Sequence, residues 1–320
     1  MEKYIKRSLL SIINQSFENF EIIVVNDNSN DKTINIIRSL LYKDNRIKII
    51  NHNQNIGVYS SRVEAILKAK GEYILLIDPD DMILNQILLE ELFNYNLKLQ
   101  LDIIEFSVYH QKDNRKIIYL PSKEEFTHYH KFKKNIIYQP ELANILFYEA
   151  NSKNNSDIIC RTIWNKLYKR NILIKTINYI EKDFHNKFLV AADDTPINLL
   201  NFEFAYNYSN IFLPGYLYNI RKNSITNKLN ENNHLKLVCY NFLLYYKLFY
   251  RYIKDFNKSL DYCYYDFSSF SPYLLNLKEL NAVEYILEAK TFFNNIINNK
   301  KISKEFKDFI NKLILNFNLI

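Results

Sequence analysis

Asp78, Asp80 and Asp81 cluster around Pro79 at the end of Gly71-Glu72-Tyr73-Ile74-Leu75-Leu76-Ile77-Asp78-Pro79-Asp80-Asp81. Two acids one residue apart in an extended turn can present oxygens to a single hard cation, and the proline restricts how that turn flexes. A cation held there would bind a diphosphate. An acid-proline-acid turn is also an ordinary solvated turn, so its position decides the reading. Tyr73 to Ile77 is an apolar run without alternation, the pattern of a strand buried on both faces of a parallel sheet. Ligands of open α/β sheets bind beyond the carboxyl ends of such strands.

Three further side chains fall at comparable places. Asp27 ends the strand Glu21 to Val25, Arg62 lies on the helix between the two acidic turns, and Asp194 opens a later helix. Asp27 can accept hydrogen bonds from a base or ribose, Arg62 can offer a fork to phosphate, and Asp194 can act as a base. Each has a plainer reading. Asp194, with Pro196 two residues on, is also a helix N-cap, and Arg62 is also a solvated or salt-bridged residue. Trp164 reads first as core packing, with a sugar-stacking ring as the alternative.

The elements that would position these groups alternate. Apolar spacing predicts helices over 3–15, 31–43 (capped by Asn30 or Asp31), 58–70 and 85–98, and strands over 21–25, 46–50, 73–77 and 102–108. This is an α/β pattern, a mostly parallel sheet with helices on both faces. From 110 to 160 it loosens into a hairpin tip at 112–115, a polar loop over 121–136, a helix over 139–149 and an exposed stretch at 151–157. A helix from Asp194 through about 203 and a strand from Gly215 to Arg221 follow. Helical patterns dominate from 232 to 320, so the expected division is 1–228 and a helical region 229–320.

The 320 residues carry a net charge of +7, set unevenly: 16 basic and 18 acidic side chains in 1–130, against 26 and 17 in 131–320. The basic half suits phosphates, an anionic acceptor or peripheral contact with a membrane surface, although solvated helix lysines explain it more simply. Cys160, Cys239 and Cys263 are odd in number and far apart, and the six histidines form no zinc pattern. No apolar stretch is long enough to cross a bilayer and the amino terminus has no signal core, so a cytoplasmic protein is expected.

In this order the residues resemble the inverting glycosyltransferases of family 2, with the GT-A nucleotide-sugar fold, a Rossmann-like sheet. The resemblance rests on Glu21 through Thr33, Asn55-Ile56-Gly57, Gly71 through Asp81, Trp164-Asn165-Lys166-Leu167-Tyr168, Asp193-Asp194 and Tyr218-Asn219-Ile220-Arg221. It implies transfer of a sugar from a nucleoside-diphosphate sugar, a UDP-sugar first of all, to a hydroxyl of a glycan or lipid-linked acceptor, as in cell-surface glycan synthesis, and no nucleic-acid partner. It also implies that Asp27 with Asn28 holds the nucleotide, with Arg62 beside it. Asp78 lies near ribose and metal, Asp80 ligates Mn²⁺ or Mg²⁺ as the last acid of a DxD motif, and Asp194, with Asp193 beside it, is the base. The other reading is a catalytically impaired nucleotide- or glycan-binding or scaffold protein of the same descent.

The family pattern begins with an apolar strand that is central in the sheet, whereas Met1 falls at the start of the following helix. Three outcomes are open: the chain starts earlier, the flanking strands close up, or the fold is damaged. Asn28 stands where the family usually has glycine, and asparagine tolerates the left-handed conformation that such a turn needs.

Overall fold

The computed structural model describes residues 1–112, 136–139, 142, 162–184, 189, 194–221, 232–256, 283–298 and 304–318. The first part runs α1 (Ile5–Ile13), β1 (Ile22–Asn26), α2 (Thr33–Leu41), β2 (Ile47–Asn51), α3 (Val58–Lys68), β3 (Tyr73–Leu75), β4 (Met82–Ile83), α4 (Leu88–Leu99) and β5 (Ile103–Lys112). Then come β6 (Ile137–Tyr138), β7 (Lys166–Lys169), α5 (Arg170–Phe184), α6 (Asp194–Phe204), β8 (Asn207–Ile220), α7 (Asn232–Asp255), α8 (Val283–Ile297) and α9 (Lys304–Asn318). The helices and strands expected within these residues are present, with bounds shifted by a few positions, except that the strand expected from Gly215 begins at Asn207. The loop, hairpin tip and helix expected between 112 and 157 lie mostly outside the described residues.

The strands form two sheets. β1 and β2 pair in parallel, Ile22 opposite Ile47 and Asn26 opposite Asn51, because α2 returns the chain across one face. The second sheet has the order β3-β7-β5-β8-β4, with β6 also on β8. Its longest pairing, β5 with β8, is parallel, whereas the short β3, β4, β6 and β7 pair antiparallel.

Among the described residues no strand joins the two sheets. β1 pairs only with β2, and β3 only with β7. Of the three outcomes left open by the sequence, pairing of β1 directly with β3 does not occur. The run Tyr73 to Ile77 is also shorter as a strand than expected and half-buried throughout, because one edge of β3 pairs with no other strand. Side chains and loops bridge the gap instead: Glu21 Oε1 accepts the backbone N–H groups of Lys70 (2.6 Å) and Gly71 (3.2 Å).

α1 docks the acidic turn. Ser11 Oγ accepts the N–H of Ile83 at 3.0 Å, and Gln15 Nε2 donates to the carbonyl of Asn85 at 2.9 Å while its Oε1 accepts the N–H of Leu89 at 3.1 Å. Ile5 and Leu9 on the opposite side pack with Ile22, Ile37, Leu40 and Ile47. α3 starts at Gly57, whose φ of 91° only glycine adopts without strain, and Asn28 does take the left-handed conformation, at φ 56°. The carboxyl-terminal helices do not hang apart. Phe242, Phe249, Phe293 and Phe306 share one buried cluster with Tyr59, Phe184, Ile197 and Leu200.

Candidate active site

Arg62 is where the site closes. One turn into α3, its Nη2 donates to Asp78 Oδ1 at 2.8 Å and its Nη1 to Asp194 Oδ1 at 2.9 Å. The guanidinium fork thus joins the acidic turn after β3 to the first residue of α6, which lies 132 positions from Arg62. Arg62, expected to face phosphate, here faces two carboxylates.

The acidic turn is fixed from below. Asp81 is 1% exposed: its Oδ2 accepts the Tyr216 hydroxyl at 2.8 Å and its Oδ1 the N–H of Asn219 at 2.7 Å. Burial, with the neighbouring charge of Asp78, pushes its pKa up to about 8. The same Tyr216 hydroxyl accepts the N–H of Asp78 at 3.2 Å. Two strand residues of β8 therefore dictate where the turn points. Trp164 lies flat against Tyr216 and Tyr218, with ring centroids 4.9 and 5.0 Å away, and is only 7% exposed. Of its two readings, it serves as packing beneath the turn.

Asp80 points elsewhere. Its carboxylate pairs with Arg221 at the end of β8, and its backbone carbonyl accepts Arg7 Nη2 of α1 at 2.9 Å. Burial pushes the Asp80 carboxyl up and Arg221 only partly offsets that. The Tyr4 ring lies within 5.2 Å of the Arg7 guanidinium and 5.1 Å of that of Arg221. Among the described residues no three His, Cys, Asp or Glu side chains group into a metal cage. Asp78 and Asp80, the pair the sequence offers to a cation, are instead each paired with an arginine, Arg62 and Arg221.

Asp27 stands at the amino end of α3. Its Oδ1 accepts the N–H of Ile56 (2.8 Å) and its Oδ2 that of Gly57 (2.9 Å). The helix amino terminus holds the anion, and roughly 8 Å of helix then separates it from Arg62. Asp27, Arg62, Asp78 and Asp194 are thereby linked by α3 and its contacts, with Asp80 on the same turn as Asp78. Asn28 forms the bend after Asp27, and Asp193 lies outside the described residues.

Sequence reasoning missed several contributors. Arg7, Tyr216 and the anchoring role of Asp81 depend on contacts between distant segments. His52 belongs to no zinc pattern, yet it bonds Asp27 at 2.9 Å and Glu64 at 2.8 Å. Its place in a polar loop just before Asn55-Ile56-Gly57 was the available signal.

Residues 1–177 match the family described as Glycosyl transferase family 2. An uncharacterized glycosyltransferase of Methanocaldococcus jannaschii is 31% identical over 237 residues, 73% of this chain and 76% of that protein. An uncharacterized glycosyltransferase of Haemophilus influenzae is 39% identical over 97 residues, 30% of this chain and 38% of its own length. Among solved structures, S. aureus TarS 1-349 superposes with a TM-score of 0.59 at 18% identity, covering 99% of this chain and 86% of that one. A TarS structure in complex with UDP-GlcNAc gives 0.57. These likenesses give the fold, GT-A with a helical carboxyl-terminal part. Together with the family match and the archaeal relative they lead to one statement: the chain belongs to glycosyl transferase family 2.

Proposed function

We propose that this chain transfers a glycosyl group from a nucleoside-diphosphate sugar, UDP-sugar being the first candidate, to an acceptor hydroxyl with inversion. The observation that carries the reading is the Arg62 fork, which brings Asp194 beside the acidic turn. Asp27 receives the base: two backbone N–H groups and His52 occupy three of its roughly four acceptor positions, leaving one on Oδ2 for a ring N–H. Asp78 and Asp80 would hold Mn²⁺ or Mg²⁺ together with the diphosphate, and such a cation supplies charge neutralisation on the departing phosphate. Arg62 and Arg221, now paired with these acids, are placed to meet phosphate oxygens once the donor arrives. Asp194 takes the proton of the acceptor hydroxyl as its oxygen bonds to the anomeric carbon, and the bond to the nucleoside diphosphate breaks on the opposite face. A base so placed contributes typically about 10²–10⁴-fold.

TarS has been crystallised with UDP and with UDP-GlcNAc, which supports the donor class and leaves the transferred sugar open. The acceptor is a glycan or lipid-linked glycan by the same family reasoning. No described helix is long and apolar enough to cross a membrane, and the basic second half offers peripheral contact with an anionic surface. The pairing of Arg221 with Asp80 favours a second reading, nucleotide binding without turnover. Hydrolysis of a UDP-sugar in Mn²⁺ tests both. The enzyme reading expects turnover that is abolished in Asp80→Ala and falls by at least about 10²-fold in Asp194→Asn. UDP binding with no turnover in the unaltered chain would establish the second reading.

A further inference from the structure

His52 lies between two carboxylates contributed by different elements. Nδ1 is 2.9 Å from Asp27 Oδ1 at the end of β1, Nε2 is 2.8 Å from Glu64 Oε2 on α3, and the side chain is 10% exposed. These two acids are the titratable groups that face it. A ring with an acceptor at each nitrogen is satisfied only as the imidazolium, which donates twice. We propose that His52 is a positioning residue of the nucleotide site: its imidazolium fixes the Asp27 carboxylate for the donor's base, so nucleoside diphosphate binding weakens when His52 loses its proton.

The geometry supplies the reason. Neutral imidazole has one N–H for two carboxylates, so whichever nitrogen keeps it, the other aims a lone pair at an oxygen less than 3 Å away. A unit of positive charge beside an anionic ligand disappears at the same time. Burial alone would lower the pKa of His52, but the hydrogen bonds to Asp27 and then Glu64 outweigh it and the net direction is upward. The imidazolium therefore persists above the usual histidine range, and its contribution is lost as pH rises through that raised value.

The inference rests on the nucleotide-donor reading, and the test separates the two. UDP binding is measured by calorimetry from about pH 6 to about pH 9 on the full chain, on His52→Gln and on Glu64→Gln, with far-ultraviolet dichroism confirming that each is folded. The unaltered chain should lose about tenfold in affinity across the range. His52→Gln should be weakened by about as much at pH 6 and show no comparable decline, with donor KM raised and kcat at saturating donor retained. Glu64→Gln should bind as well at pH 6 but begin its decline at lower pH. A folded His52→Gln with the affinity and slope of the unaltered chain overturns the role of His52 and leaves the donor reading standing. Absence of UDP binding at every pH, with no donor hydrolysis, overturns both.

Discussion

Asp81 illustrates how a single buried carboxyl couples stability to pH. The folded chain holds its proton up to about pH 8, whereas the unfolded chain releases it near the ordinary value of 3.8. The folded state therefore binds more protons through this window, and the contribution is fully present below about pH 4 and lost as pH climbs through about 8. Asp81→Asn keeps an oxygen for the N–H of Asn219 and removes the titration. Urea unfolding should show the unaltered chain losing stability relative to this variant between about pH 4 and pH 8, by on the order of a few kcal/mol. Parallel profiles would show that Asp81 titrates normally. Asp27, Asp78 and Asp80, which follow apolar runs, and Asp194, which opens a helix, could be picked out as candidates from the sequence, because both places have a short-range signature. The depth of Asp81 was not legible, since its burial comes from Tyr216 and Asn219 more than 130 positions away. Nor was the sharing of Arg62 between two carboxylates, which depends on where α6 lands.

At the level of elements, a buried polar network ties three strands to the helix that begins with Asp194. Lys166 of β7 and Glu105 of β5 are 0% and 1% exposed and 3.3 Å apart. The Tyr208 hydroxyl of β8 donates to Glu105 at 3.0 Å, and Lys166 Nζ donates to the Thr162 carbonyl at 2.7 Å. Asn198 of α6 donates to that same carbonyl, also at 2.7 Å. Removing one charge strands the other, and burial already pushes the Glu105 carboxyl upward. Lys166→Met should therefore destabilise the fold by about 3–5 kcal/mol, whereas Lys166→Met with Glu105→Leu should recover much of that loss. Chemical denaturation of the unaltered chain and the two variants decides it: a double variant no more stable than the single would mean that packing, not pairing, sets the cost. Periodicity located β5 and the last part of β8 but neither β7 nor the partners of these strands. β7 pairs antiparallel with both β3 and β5, segments distant in the chain, and local spacing does not encode such pairing.

At the scale of the whole molecule, one buried cluster crosses the division at residue 228 that the helical patterns suggest. Amphipathic spacing showed helices from 232 onward but not which surface they cover, because their buried faces meet residues of the first part. Val238, Phe242, Tyr246 and Phe249 of α7 share a core with Tyr59 of α3, Phe184 of α5 and Ile197 and Leu200 of α6. The Tyr252 hydroxyl donates to Glu203 at 2.7 Å, and Arg251 pairs with Asp183. The helix that begins with Asp194 thus lies between the sheet and the carboxyl-terminal helices, so the latter help to fix the proposed base. If the two parts form one cooperative unit, calorimetry of the full chain gives a single transition. Phe249→Ala, which empties a site 1% exposed, should then shift that whole transition downward by the equivalent of about 3–5 kcal/mol. A chain ending at 228 would leave Phe184, Ile197 and Leu200 facing water and should associate rather than remain monomeric in gel filtration. Two separate transitions, with only one moved by Phe249→Ala, would instead restore 229–320 as an independent domain and remove its hold on Asp194.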